Sequence, residues 1–360
     1  MRPLKMLQIG VGGYGAAWLR DFVPPVKARG LVETVAVCDI DGQALGEARD
    51  FLGLPETQCF TDAAQACRQA DADFALISTP PWDHADHVAM AANAGMDVLC
   101  EKPIAASIED TARIVRTARE TGRRIAFTMT HRFDQAHSTL RREVHSGQYG
   151  ALDYIAFRLT GELRRFASWG RFRHEMDDVM LVEAAIHHFD ILRDLAGAAP
   201  ASIFATSWNP PWGEFAGDSQ VLAIMRFGND VRASYESTAC NAVSINEYFK
   251  GTIRAEFDKA TLILDGGRLE RMYYDPTGQE PVRRPGSGET VEPVVQDSFG
   301  NVWIIERFVQ WLRGGEPMPT RLEETLQSQA MVFAALESAR TGKQVDVRAI
   351  ADWFGHLARP

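Results

Sequence analysis

Lys5-Met6-Leu7-Gln8-Ile9-Gly10-Val11-Gly12-Gly13-Tyr14-Gly15 is the stretch whose reading decides the fold. Residues 5–9 are apolar enough for a buried strand. They run directly into a G-x-G-x-x-G turn, and Ala16-Ala17-Trp18-Leu19 begin a helical pattern. Strand, glycine turn and helix in that order are the context in which this motif holds a dinucleotide. Gly10 allows the tight turn, Gly12 the close approach of a pyrophosphate, and Gly15 the packing of helix on strand. Gly13 and Tyr14 complete the loop. Its phosphates are expected at the helix N-terminus, where free N–H groups and the positive end of the dipole favour anions.

Outward from that turn, the helix is expected to reach about Lys27, with Pro24-Pro25 disturbing its end. The next strand, 33–38, ends in Asp39 and is followed by Ile40. An acidic residue at this strand tip, some 20–25 residues beyond the glycines, is placed to accept hydrogen bonds from a ribose diol. A 2′-phosphate would meet like charge there, and Ile40 supplies no compensating cation, so NAD is expected rather than NADP.

Strands and helices then alternate. Helices are expected over 41–52, 63–69 (capped by Asp62), 83–94 and 108–120 (capped by Ser107, stopped by Gly122). Strands are expected at 58–60, 74–78, 97–100 and 124–128. Repeated β-α units with continuous apolar strands imply a parallel sheet covered on both faces. Ligands of such sheets bind outside the carboxyl ends of the strands. Three strand ends stand out: Ser78-Thr79-Pro80-Pro81, Glu101-Lys102-Pro103 and Thr130-His131-Arg132.

The 360 residues are enough for two domains. With 46% hydrophobic and 24% charged residues, the composition is that of an ordinary globular chain. The net charge of −10, with both signs spread along the chain, leaves no footprint for nucleic acid or an anionic membrane. Five scattered cysteines without a C-x-x-C fit a reducing compartment. There is no leader-like apolar segment at the N-terminus and no apolar run of about 18 residues. A cytoplasmic protein is expected.

From about Tyr149 the pattern changes. Strand-like runs at 151–160, 201–208, 219–227, 231–238, 247–256 and 261–264 follow one another with turn residues and only one long helix, expected over 177–196 and stopped by Gly197. That succession indicates an antiparallel sheet. A loop is expected at 286–296 and helices at 303–312 and 322–340. On the helix 177–196, Glu183 and His187 are four apart and Asp190 three further on, so the three share a side. Oxidation of a carbinol needs a base for the hydroxyl proton. A histidine, with its ordinary pKa of about 6.5, suits that task, and a neighbouring carboxylate fixes its tautomer. His187 is therefore a candidate acid–base with Glu183 as its orienter, and an ordinary helix-surface pair is the alternative reading of the same spacing. Glu183, His187, His174 and Glu175 in principle invite zinc, but there is no H-E-x-x-H and no nearby cysteine, so no metal is expected.

Glu101-Lys102-Pro103 after a strand, some 90 residues beyond a Rossmann glycine turn, resembles the Gfo/Idh/MocA oxidoreductases, which include inositol dehydrogenase and glucose–fructose oxidoreductase. Thr79-Pro80-Pro81-x-x-His84, Arg132-Phe133, Leu181-x-Glu183-x-x-x-His187-x-x-Asp190 and Ser338-Ala339-Arg340-Thr341-Gly342-Lys343 are similar to further motifs of that family, in order and spacing. One departure is Glu183, where inositol dehydrogenases carry Asp.

The resemblance implies a fold of two parts: an N-terminal Rossmann doubly wound parallel sheet, and a C-terminal α+β domain with a large open, mainly antiparallel sheet. The boundaries read as 1–130 for NAD binding, 131–300 for substrate and oligomerisation, and 301–360 for helices packing back on the core. Ser78, Thr79, Pro80, His84 and Arg132 are implied at the cofactor, with Glu101 and Lys102 at its nicotinamide end. Lys102 is also implied beside His187 in the acid–base step. Trp169, Arg171, Arg173, Glu183, His187 and His188 are implied around the substrate. The activity implied is oxidation of a hydroxyl of a sugar, sugar derivative or cyclitol, by a homodimer or homotetramer built through the second sheet. Two alternatives are an NAD-dependent glycoside-processing or elimination enzyme and a non-catalytic NAD-binding regulator on the same fold.

Overall fold

The computed structural model describes residues 1–247, 250–278 and 283–358. They form two compact units. The first contains Met1–Thr130, Ser298–Leu326 and the residues from Asp352 onward; the second contains His131–Asp297 and Gln327–Ala351.

In the first unit, β1 (Leu4–Ile9), β2 (Val32–Cys38), β3 (Cys59–Phe60), β4 (Phe74–Ile77), β5 (Asp97–Cys100) and β6 (Ile125–Phe127) form one parallel sheet in the order β3-β2-β1-β4-β5-β6. The order reverses at β1/β4, which is where a doubly wound sheet opens its ligand crevice. Met6, Leu7, Phe74–Ile77, Val98 and Leu99 are buried, as strands covered on both faces require. The helices between them start where side chains satisfy free N–H groups: Asp41 for α3 (Gly42–Leu52), Asp62 for α4 (Ala63–Gln69) and Ser107 for α6 (Ile108–Thr121), with α5 at His84–Asn93. The helix Gly300–Leu312 belongs to this unit. Its Phe308 meets Phe74 edge-on at 5.4 Å, and Glu306 pairs with Arg29.

The helix after the glycine turn is not continuous. It runs as α1 (Tyr14–Ala17), a wide π turn (Trp18–Phe22) and α2 (Val23–Ala28). Pro24-Pro25, expected to disturb the helix end, instead occupy the first turn of α2. There a missing N–H breaks no helical hydrogen bond.

In the second unit, α7 (Gln135–Val144), β7 (Leu152–Thr160), α8 (Arg171–His174) and α9 (Ala185–Ala196) precede β8 (Pro200–Trp208), β9 (Gln220–Phe227), β10 (Arg232–Thr238), β11 (Thr252–Phe257), β12 (Ala260–Asp265), β13 (Arg268–Tyr273) and β14 (Glu289–Thr290). With β15 (Val345–Asp346) they make a nine-stranded sheet in the order β14-β13-β12-β11-β7-β10-β9-β8-β15. All its pairs are antiparallel except β7 with β10, because β7 enters from α7 and leaves through α9 rather than by a hairpin.

The strand expected at 247–256 begins at Thr252, and residues 248–249 lie outside the described ones. β13 was not expected, and the loop expected at 286–296 contributes β14 to its edge. The helix expected over 177–196 is also corrected: Met180–Ala184 form a π turn, and only Ala185–Ala196 are α-helical, closed by the left-handed Gly197. Residues 180–192 are buried almost throughout, so this segment lies in the core of its unit.

Candidate active site

The glycine loop of the first unit is built by close approach. Gly10 has φ +87°, and a Cβ on it would stand 2.7 Å from the carbonyl oxygen of Ser78; one on Gly15 would stand 2.3 Å from that of Gly10. Gly12 differs: its nearest neighbours would be Ala44 Cβ at 3.4 Å and an Asp39 oxygen at 3.6 Å, ordinary contacts. Gly13, at φ +51°, precedes Tyr14, the first residue of α1. The fully buried Gln8 donates its amide to the carbonyl oxygens of Gly10 (3.0 Å) and Gly15 (2.8 Å), closing the loop from beneath. Ser78 Oγ donates to Gly10 O at 2.7 Å. Asp39 binds the loop from the side: Oδ2 accepts from Val11 N (2.7 Å) and Gly12 N (2.9 Å), and Oδ1 accepts from Asp41 N (2.9 Å). Ile40 beside it is 93% exposed. A cleft of about 260 Å³ beside the loop is lined by Gly12, Gly13, Arg20, Asp41, Gln43 and Glu47, among others.

The ends of β4 and β5 are joined by His84. This fully buried imidazole places Nε2 at 2.9 Å from Thr79 O and Nδ1 at 2.9 Å from Pro103 O. Carbonyl oxygens only accept, so the ring nitrogen that carries the proton donates to the carbonyl it faces. Expected along the cofactor groove, His84 directs its ring nitrogens to the backbone of the two strand ends. Thr79 Oγ1 bonds His87 Nδ1 at 3.0 Å, and Pro80 O accepts from Asp83 N at 3.0 Å. Glu101 is buried; it accepts from Trp18 Nε1 (2.7 Å) and from the backbone N–H of Lys102 (3.0 Å), which precedes a cis Pro103. Burial pushes the Glu101 carboxyl up; the Lys102 charge and hydrogen bonds from Thr128 and Trp18 oppose that shift.

In the second unit His187 is buried, and the ring of His131 lies flat on it, with centroids 3.7 Å apart and planes 13° apart. His131 opens the 3-10 turn His131–Phe133. Glu183, expected as the orienter of His187, receives Arg173 Nε on Oε2 at 2.8 Å. Glu183 lies in the π turn and His187 in the α-helix that continues it. The Arg173 guanidinium lies over Phe172 (4.3 Å) and Trp169 (5.3 Å). Arg171 pairs with Glu175 at 2.9 Å. Asp190 receives Arg132 (2.9 Å), Arg193 (3.4 Å) and the hydroxyl of Ser328 (2.9 Å). Arg132, expected at the cofactor, thus joins Asp190 and, at 3.1 Å, Asp194 within its own unit. His188, expected at the substrate, is buried with Nδ1 2.9 Å from the hydroxyl of Tyr235 and its ring 4.4 Å from Phe157. His174 is buried and stacked on Phe215 at 4.0 Å. Among the described residues no group of three His, Cys, Asp or Glu is arranged to hold a metal, and no helix is long and apolar enough to cross a membrane.

Two contributors to these sites were not singled out from sequence. Gln8 carried a signal: it is a lone amide inside an apolar strand. His131 stood in a noted strand end, but stacking across 56 positions leaves no local trace.

Residues 5–129 match the model of an oxidoreductase family's NAD-binding Rossmann fold, and residues 141–347 match that of its C-terminal alpha/beta domain. An uncharacterized protein of Sinorhizobium fredii, y4oX, is 42% identical over 344 residues, covering 96% of each chain. The scyllo-inositol 2-dehydrogenase (NAD(+)) of Bacillus subtilis is 25% identical over 349 residues, covering 94% of this chain and 96% of that protein. An oxidoreductase from Agrobacterium radiobacter, solved in complex with NAD+, L-tartaric acid and magnesium, shares the fold with a TM-score of 0.83. Its identity is 22%, over 96% of this chain and 99% of that one.

Proposed function

The chain belongs to the Gfo/Idh/MocA oxidoreductase family, and on that premise we propose that it is an NAD-dependent dehydrogenase oxidising a hydroxyl of a sugar, sugar derivative or cyclitol to a ketone or lactone. The observation that carries the cofactor half is at Gly12. Nothing in the protein comes closer than 3.4 Å to the place of its missing Cβ, so the fold itself makes no demand for glycine there. A phosphate brought against the backbone does make that demand. Asp39, at the end of β2, carries the choice of NAD over NADP, since its carboxylate suits a ribose diol and repels a 2′-phosphate.

Bound NAD supplies the nicotinamide that accepts the hydride. His187 takes the hydroxyl proton as the C–H bond breaks. Lys102 holds the reacting oxygen and favours the developing negative charge on it. The buried Glu183 and the half-buried Arg173 present an acceptor–donor pair that suits neighbouring hydroxyls of a polyol. The scyllo-inositol 2-dehydrogenase relative supports the cyclitol or sugar class.

The test is cofactor reduction across aldoses, branched sugars, cyclitols and sugar acids, with NAD+ and NADP+ in parallel. One substrate class is expected to reduce NAD+, and Lys102→Ala and His187→Asn are each expected to lower kcat about a hundredfold or more. Silence with every substrate, while NAD+ still raises the melting temperature, would favour redox-neutral glycoside processing or a regulator. Preference for NADP+ would overturn the role of Asp39.

The second sheet supports a further part of the reading, that copies of the chain pair through it. Phe204 on β8 faces Ile224 on β9 across the ladder, with Leu222 two residues away, and they are 42%, 63% and 43% exposed. Apolar side chains aligned on one sheet face suit burial against a second copy. Analytical ultracentrifugation is expected to give a dimer or tetramer that Ile224→Lys shifts towards monomer. A monomeric parent protein at micromolar concentration would contradict this.

A further inference from the structure

His187 shares its aromatic face with a second titratable ring. His131 lies 3.7 Å from it and nearly parallel. Face-to-face rings do not point N–H groups at each other, so the pair cannot pass a proton directly across the stack. What they share is charge: at that separation two imidazolium ions repel, and the pair binds its protons in two linked steps. His131 is half-buried whereas His187 is 5% exposed, so solvent favours the first proton on His131.

The other ionisable groups of the second unit around this helix have partners of their own. Glu183 on the π turn holds Arg173, and Asp190 on α9 holds Arg132 and Arg193. On α7, His137 pairs with Asp134, Arg141 with Asp194, and Glu143 with Arg142. His188 meets Tyr235 of β10, whose hydroxyl burial pushes up, and β7 presents Phe157.

Resting on the reading of His187 as the base, we propose that His131 is a positioning residue for the reaction: it fixes the plane of the His187 imidazole and, by taking the pair's first proton, keeps His187 in the neutral, proton-accepting form. His131→Phe separates the two parts, since it keeps a ring against His187 but carries no proton. His131→Asn removes both and serves if Phe disturbs the fold. The direct readout is proton NMR titration of the histidine rings in the free full-length protein, with His187→Asn identifying the His187 resonance.

Two linked titrations are expected in the parent protein. The His187 midpoint should rise by about one pH unit in His131→Phe, and the acid limb of kcat/KM should move up with it. Below the midpoint, one unit is about a tenfold loss of rate relative to the parent. An unchanged His187 titration in both variants overturns the inference. Linked titrations together with full turnover in His187→Asn would uphold the coupled pair and overturn the assignment of the base.

Discussion

Asp39 makes its structural work visible at the level of single atoms. One carboxylate accepts three backbone N–H groups, two from the glycine loop and one from Asp41. It therefore shapes the loop as well as facing the place proposed for the ribose. Asp39→Ala is expected to lose both contributions. It should unfold about 1–3 kcal/mol more easily in urea, the scale for leaving such donors unmet. It should also bind NAD+ about tenfold or more weakly by calorimetry, with discrimination against NADP+ reduced. Unchanged NAD+ affinity in a folded variant would contradict the ribose role. At the same scale, the residue types at Gly10, Gly12, Gly15, Lys102 and His187 were legible because motif and spacing are local. Their partners were not. That Glu183 meets Arg173 and that His131 meets His187 depend on side chains 10 and 56 residues away, and no pattern in a single chain encodes such distances.

Among the elements, the six parallel strands were read almost to the residue, since buried strands are continuous apolar runs bounded by glycine and capping residues. Asp41, Asp62 and Ser107 announced helix starts that the structure places one residue later. The π turn Met180–Ala184 inserts a wide turn into a run that is buried on every side. When all faces are buried, periodicity carries no phase with which to detect the extra residue. The strand β13 was missed because Arg268, Glu270 and Arg271 dilute its apolar pattern near the sheet edge. The parallel pairing of β7 with β10 is set by topology rather than by either strand's composition.

On the scale of the whole molecule, the glycine loop and Lys102 lie in the first unit and His187 lies in the second. The first unit holds the glycine loop and a lysine at a strand end, and the second holds the buried His187 stacked on the half-buried His131 and the Arg173–Glu183 pair. Transfer of hydrogen from a carbinol carbon to nicotinamide is the claim on which the rest depends. The most direct measurement follows the hydrogen itself. A substrate found by the reduction panel is deuterated at the carbinol carbon and turned over with NAD+, and the reduced cofactor is examined by proton NMR. Deuterium on the nicotinamide ring, with slower turnover of the labelled substrate, is the predicted result. Substrate conversion that leaves the cofactor oxidised, or reduced cofactor without deuterium, would contradict it.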